Sequence, residues 1–100
     1  MLKISTIDGT DDIVLRIEGK LITPWTTELE SAWQNITDSL KARRLLLDIR
    51  DTTSIDESGF ECLARIAHVA NAGILADTPL TRQFAEKVRQ IKVSQKERGQ

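Results

Sequence analysis

Four carboxylates lie in or just before one polar segment in the middle of the chain, residues 51–59. Asp48 and Asp51 end an apolar run, whereas Asp56 and Glu57 precede the next one. Carboxylates clustered at the end of a strand can bind magnesium or act as acid and base. The segment contains no histidine or lysine to complete a catalytic set. We therefore favour a structural interpretation, in which Asp56 caps the next helix and Glu57 stabilises its positive end.

Ser58 is the other residue of this segment whose position suggests chemistry. It precedes Gly59 at the predicted start of a helix. Free backbone N–H groups and the helix dipole would stabilise a phosphate on its hydroxyl there, so the sequence permits a phosphoserine switch. The alternative is structural: a serine of the kind common at helix starts, beside a glycine that lets the helix pack closely.

The two remaining side chains with reactive groups, Cys62 and His68, are not expected to take part in chemistry. Cys62 is the only cysteine, so no intramolecular disulfide can form. It shares the apolar surface of its helix with Ile66 and Val69, and no base accompanies it, which indicates a small buried hydrophobe. His68 falls on the polar stripe of the same helix and is interpreted as a solvated surface residue.

The polar segment lies between two elements that would position it. Residues 45–49 form an apolar run of strand length, and residues 60–70 are apolar over most of a helix circumference. A buried strand followed by a buried helix is therefore predicted. In an open α/β sheet, ligands bind at the carboxyl ends of the strands, which makes residues 51–59 the candidate site.

The front of the chain is predicted to form a β-hairpin. Leu2 and Ile4 alternate with polar residues, residues 8–12 have the composition of a turn, and residues 13–17 read as a second strand. Gly19 is expected to end that strand.

The first helix is predicted to start at Thr23 and Pro24. Threonine can cap free amide donors, and proline suits the first helical position. Apolar residues then recur three and four positions apart as far as Leu40. Trp25 and Trp33 both fall on this stripe, so both are predicted to lie in the core.

The last third of the chain is predicted to hold a short strand and a final helix. Residues 74–76 are apolar and follow a helix-ending glycine. Thr78 and Pro79 repeat the Thr-Pro motif of the first helix. The apolar face of this last helix is predicted to comprise Leu80, Phe84, Val88 and Ile91.

Composition and element order predict one globular α/β domain. The chain has 100 residues, 40% of them hydrophobic and 29% charged. We predict a mixed, mostly parallel four-stranded sheet covered by about three main helices over residues 1–93, and a polar, disordered tail over residues 94–100. A formal net charge of -1 gives no long-range attraction to nucleic acid or anionic membranes. Without a secretory signal or a membrane-spanning stretch, a cytoplasmic location without membrane insertion is expected.

The chain resembles the STAS domain family, named after sulphate transporters and anti-sigma factor antagonists. The resemblance rests on LLLDIRDTTSIDESGFECL, which looks like the family's apolar strand ending in Asp, short loop, Asp-x-Ser-Gly-apolar turn and helix. It is supported by IVLRIEGKLITPWTTELESAW, which is similar to the strand, Gly-x-Leu turn and first helix of that family. The order of elements agrees over essentially the whole chain.

The resemblance implies a non-enzymatic protein-interaction module without a cofactor. Antagonists of this family bind a serine kinase that also sequesters a sigma factor, and phosphorylation of the serine before the glycine of the turn breaks the complex. In this sequence that serine is Ser58. The partner-binding residues that the resemblance implies are Thr53, Ser54, Asp56, Glu57, Ser58, Gly59, Phe60 and Glu61.

Glu57 departs from the family pattern and keeps other functions open. The better-known antagonists usually carry a small residue there, often Ser or Thr, whereas a carboxylate repels the phosphates of ATP. The alternative is a constitutive, non-phosphorylated STAS subunit or ligand-binding module of a transporter- or ATPase-associated complex. A small hydrolase with magnesium at Asp48, Asp51 and Asp56 is the least favoured class.

Overall fold

A computed structural model describes residues 1–92 of the chain, and the predicted tail lies outside these residues. The elements follow one another as β1 (Leu2–Asp8), β2 (Asp12–Leu21), α1 (Thr26–Leu40), β3 (Arg44–Asp48), β4 (Thr52–Ile55), α2 (Glu57–Ala70), β5 (Gly73–Leu75) and α3 (Pro79–Gln90). No helix among residues 1–92 is long and apolar enough to cross a bilayer.

The strands form one mixed sheet, as predicted, in the order β1-β2-β3-β5, with β4 also paired to β2. β1 runs antiparallel to β2, and the other pairs are parallel. One edge of β2 is shared between two strands. Its first half, Asp12–Arg16, pairs with β3, and its last residues, Gly19–Leu21, pair with β4.

The sheet has five strands, so the prediction of four was wrong. β4 lies inside the segment interpreted as a polar turn, where only Ile55 is strongly apolar. It forms because β2 does not end at Gly19. A register shift there, with Gly19 at a φ of 97°, carries β2 on to Leu21 and offers β4 a backbone to pair with. The buried Thr52 adds a hydrogen bond from its Oγ1 to the Ile17 carbonyl, 2.7 Å away.

The core forms where alternate strand residues meet the helices. Fully buried strand residues include Leu15 in β2 and Leu47 in β3, with their sequence neighbours less buried. All three helices contribute to the same hydrophobic cluster, which includes Leu29, Ile36, Leu63, Ile66, Ala85 and Val88. One continuous apolar layer therefore lies between the sheet and the helices.

The two Thr-Pro motifs behave differently. In α3 the prediction is confirmed: Thr78 accepts a hydrogen bond from the Thr81 N–H in a capping box, with Pro79 in the first turn. The predicted start of α1 is wrong. A turn closed by the Trp25 N–H and the Ile22 carbonyl (2.7 Å) comes first, and the helix begins at Thr26 without a side-chain cap.

Three residues predicted to be apolar core residues are exposed instead. Trp25 precedes α1 and is 37% exposed, whereas Trp33 packs against the core as predicted. Leu80 is exposed because the buried stripe of α3 begins one residue later, which is about 100° around the helix. Val69, in the last turn of α2, is also exposed.

Candidate functional site

Asp56 joins three parts of the chain at the start of α2. Its main-chain N–H donates to the Leu21 carbonyl at the end of β2 (3.2 Å). Its side-chain Oδ1 accepts from the Gly59 N–H and its Oδ2 from the Thr23 N–H, each at 2.8 Å. The predicted helix cap is therefore confirmed, and the same carboxylate also fixes the loop that precedes α1.

The Asp56 carboxylate makes the stability of this region depend on pH. The N–H groups of Thr23 and Gly59 hold the pKa of Asp56 below its ordinary value of 3.8. Because the folded protein binds this proton less tightly than the unfolded chain, the ionised carboxylate stabilises the fold above pH 3.8. That contribution is lost as the pH falls through the lower pKa of the folded state.

We expect Asp56→Asn to be less stable than the parent near neutral pH, with the difference shrinking below about pH 4. Asparagine keeps a capping oxygen but has no charge to lose, so protonation makes the parent resemble the variant. Urea unfolding of both proteins over a pH series measures the difference. A difference that stayed constant from neutral to acid pH would contradict this account.

Gly59 lets the start of α2 lie directly against the end of β2. A Cβ at this position would come well under 3.0 Å from the Leu21 carbonyl oxygen and 2.8 Å from Cγ2 of Ile55. The obstruction includes backbone, which cannot swing away as a side-chain end can. The close packing expected of this glycine is thus present, and it fixes the position of the neighbouring Ser58.

Ser58 is exposed at the second position of α2. Its Oγ lies 3.5 Å from Oγ1 of Thr26, the first residue of α1. The main-chain N–H groups of Glu57 and Ser58 make no hydrogen bond within residues 1–92, as expected for the first turn of a helix. The hydroxyl is therefore accessible and stands beside unpaired donors.

The other predicted site residues differ in exposure. Thr53 is exposed, and its Oγ1 donates to the Gly19 carbonyl at 3.1 Å. Ser54 is half-buried in β4, and Glu57 and Glu61 are exposed on α2. We refer to Thr53, Ser54, Asp56, Glu57, Ser58 and Glu61 together as the Ser58 surface.

Phe60 lies beneath this surface and contributes nothing to it. Its side chain is 6% exposed and packs edge to face on Phe84, with ring centroids 5.9 Å apart. The Nζ of Lys87 lies 4.5 Å from the centre of the Phe60 ring. Phe60 thus attaches α2 to α3, and we leave it out of the Ser58 surface.

Two residues that the sequence did not place at the site belong to it. Thr23 donates to Asp56, and Thr26 contacts Ser58. Both contacts span more than 30 residues of sequence. The local Thr-Pro pattern suggested only a helix cap, so no sequence signal pointed to this proximity.

The remaining carboxylates do not converge with Asp56 on a common point. Asp48 is 3% exposed and accepts from the backbone N–H and guanidinium of Arg50 at 3.0 to 3.1 Å. The Arg50 side chain lowers the pKa of Asp48. Asp51 pairs instead with Arg16 at 2.6 Å. Within residues 1–92 no group of three histidine, cysteine or acidic side chains could hold a metal ion.

Cys62 and His68 lie where the sequence predicts. His68 is exposed on α2, and Cys62 is buried at 3% exposure. Burial, with a smaller contribution from the negative charge of Glu30, raises the pKa of the Cys62 thiol to about 12. The thiol is therefore protonated at neutral pH and is no nucleophile.

We expect Cys62 to resist thiol reagents in the folded protein. A disulfide reagent such as DTNB at mildly alkaline pH should report almost no reaction until guanidinium unfolds the chain, and then one thiol per chain. The unfolded sample is the internal control for reagent and concentration. Rapid stoichiometric reaction under native conditions would contradict the assigned burial.

Known proteins match the chain in structure and not in sequence. No protein-family model matches the sequence, and no curated protein matches it. The anti-sigma factor antagonist SpoIIAA in its unphosphorylated form matches with a TM-score of 0.58 and 11% identity, over 86% of this chain and 82% of that chain. An anti-sigma factor antagonist STAS domain from Rhodobacter sphaeroides matches with a TM-score of 0.57 and 17% identity, over 75% of this chain and 84% of that chain.

Part of a larger protein has the same architecture. A structure of Mglu matches with a TM-score of 0.61 and 14% identity over 75% of this chain, and the chain spans only 19% of that protein. Identities this low show a shared fold and no more. Sheet order, helix placement and these structures agree with the resemblance seen in the sequence: the chain has the fold of STAS domains and of the anti-sigma factor antagonist SpoIIAA.

Proposed function

We propose that the chain is a non-enzymatic protein-interaction module of the anti-sigma factor antagonist type. A cytoplasmic protein partner, a serine kinase that also binds a sigma factor, docks on the Ser58 surface. Phosphorylation of Ser58 then ends the docking. The observation that carries the proposal is the exposed Ser58 hydroxyl at the start of α2, in a chain with the fold of SpoIIAA.

The proposed switch is a phosphoryl transfer from ATP. A bond forms between Ser58 Oγ and the γ-phosphorus, and the bond from that phosphorus to the oxygen that bridges it to ADP breaks. The hydroxyl proton passes to a base of the partner kinase. The product carries about two negative charges beside the exposed carboxylates of Glu57 and Glu61. A partner covering this surface would have to desolvate those charges together, which weakens docking.

Mass analysis of the protein from its own host, with fragmentation to locate the phosphate, is the first test. We expect a phosphate on Ser58. A partner that copurifies with the unmodified protein can then be purified and titrated with variants. Ser58→Asp should weaken docking at least about tenfold while Ser58→Ala binds normally, since a buried unfavourable charge acts on this scale.

Ser31→Asp is the matched control for that titration, because Ser31 is an exposed helical serine in α1. It introduces the same charge away from the Ser58 surface and should leave docking unchanged. Equal binding by Ser58→Asp and Ser58→Ala would exclude the switch.

Glu57 supports a second candidate function. Its carboxylate is exposed directly beside the acceptor, where it repels the phosphates of ATP. In this candidate the same surface packs permanently against a transporter- or ATPase-associated partner, or serves a ligand-binding module, and Ser58 is never modified. Unmodified protein under several growth conditions, still copurifying with a partner, would favour it. Under the switch, Glu57→Gln should instead increase phosphorylation of Ser58.

A further inference from the structure

Thr26 is a buried polar residue next to the Ser58 surface that the proposed function does not use. It is 8% exposed, yet within residues 1–92 its Oγ1 contacts only Ser58 Oγ, at 3.5 Å. Ser58 is the donor in that contact, so the hydroxyl proton of Thr26 has no acceptor among the described residues. A threonine hydroxyl that makes only this one long contact has capacity for a further hydrogen bond.

The starts of α1 and α2 bring further unpaired donors to the same place. The main-chain N–H groups of Thr26, Glu57 and Ser58 have no partner within residues 1–92. Trp25 occupies the capping position of α1 and provides no side-chain cap. Two helix starts, each with a positive end and free N–H groups, thus meet at the Ser58 hydroxyl.

We infer that a phosphoryl group on Ser58 is held within the protein, between the starts of α1 and α2. The Thr26 hydroxyl and the free N–H groups of Thr26, Glu57 and Ser58 are its donors. This inference rests on the proposed modification of Ser58. The phosphorus lies one bond beyond Oγ and its oxygens lie two bonds beyond, so rotation about the Oγ–P bond can bring one of these oxygens within hydrogen-bonding reach of the Thr26 hydroxyl.

The bound phosphate would act on the neighbouring loop as well as on a partner. It supplies the cap that α1 lacks and links α1 to α2 through Thr26. Trp25 precedes Thr26 directly and is among the exposed large apolar side chains. Modification of Ser58 therefore fixes the position of an aromatic residue beside the docking surface, in addition to adding charge.

The inference can be tested with phosphoserine incorporated genetically at position 58, which needs no kinase. The second ionisation of the phosphate, followed by ³¹P NMR, is the readout because donors that bind the dianion lower its pKa. Thr26→Val removes the hydroxyl at nearly constant shape. We expect it to raise the titration midpoint by about half a pH unit.

Nearby charged groups are the same in the parent and in Thr26→Val, so their effect on the phosphate pKa cancels when the two titration midpoints are compared. The acidic groups of the two helix starts are Glu28, Asp56, Glu57 and Glu61, and Glu30 is paired with Arg65. Thr26→Ser, which keeps the hydroxyl, should retain the parent midpoint. Phosphoserine placed at position 31 should respond to neither substitution.

An unchanged midpoint in Thr26→Val would overturn the inference and leave the switch at Ser58 standing. A raised midpoint that Thr26→Ser fails to restore would overturn it too, since the hydroxyl would not be responsible. Failure of the proposed switch has a different signature: Ser58 stays unmodified in the host, whatever the midpoint of the protein that carries phosphoserine. The two proposals can therefore fail separately.

Discussion

Gly59→Ala is expected to lower the free energy of unfolding by about 3 kcal/mol, at the upper end of the range for overpacking. The added methyl group would overlap the Leu21 carbonyl oxygen and Cγ2 of Ile55. Moving the helix start away would stretch the hydrogen bonds that Asp56 makes to Leu21 and to the Thr23 loop. A single methyl group would therefore disturb the whole Ser58 surface.

Whether Gly59→Ala lowers or raises the free energy of unfolding shows whether packing or helix propensity dominates at this position. Alanine normally stabilises a helix by about 1 kcal/mol relative to glycine, so propensity alone predicts a more stable variant. Ser31→Ala, at an exposed position of α1, is the control and should stay within about 0.5 kcal/mol of the parent. Urea unfolding of the three proteins measures all of these values. A Gly59→Ala variant as stable as the parent would refute the close approach of α2 to β2.

Leu21→Ala is expected to be about as harmful, at roughly 3 kcal/mol, within the range for leucine truncation in a core. The Leu21 side chain is fully buried at the end of β2, and its Cγ lies directly beneath Gly59. The cavity would open under the first turn of α2, where rigid backbone limits collapse. We expect loss of global stability together with local loosening of the Ser58 surface.

Leu15→Ala provides the comparison, since Leu15 is equally buried in the same strand but pairs with β3 instead of β4. Both variants should unfold at lower denaturant concentration. Amide hydrogen exchange in the first turn of α2 should accelerate beyond the global loss only in Leu21→Ala. Equal local exchange in the two variants would show that the start of α2 does not depend on Leu21.

Local patterns in the sequence predicted most of the fold. Apolar alternation and a turn identified the hairpin, and a continuous apolar run identified the central strand. Helical spacing identified α1 and α3, and a largely apolar circumference identified α2. The capping box at Thr78 was predictable because both partners lie within one turn. The equivalent motif at Thr23 gave a wrong helix start, since the N–H of that residue bonds to Asp56, 33 residues away.

Only part of the candidate site could be predicted from the sequence, because some of its contacts join residues that are far apart in the chain. Asp56 as a cap and Ser58 as an exposed serine follow from their neighbours in sequence. β4 was not predicted, because its pairing depends on the register shift at Gly19 in another strand. Thr26 was missed because its contact with Ser58 exists only after two helices have packed.

Because β2 pairs with β1, β3 and β4, its strand pairs are expected to form in a definite order during folding. Its antiparallel partner β1 is joined to it by a tight turn, so this hairpin closes with little loss of chain entropy. Its pairing with β4 closes a much longer loop, because α1 and β3 lie between the two strands in the chain. The Ser58 surface is therefore expected to form late in folding. Under the proposed function, a partner that recognises that surface would then select chains that have completed folding, and a nascent chain on the ribosome would escape both binding and modification.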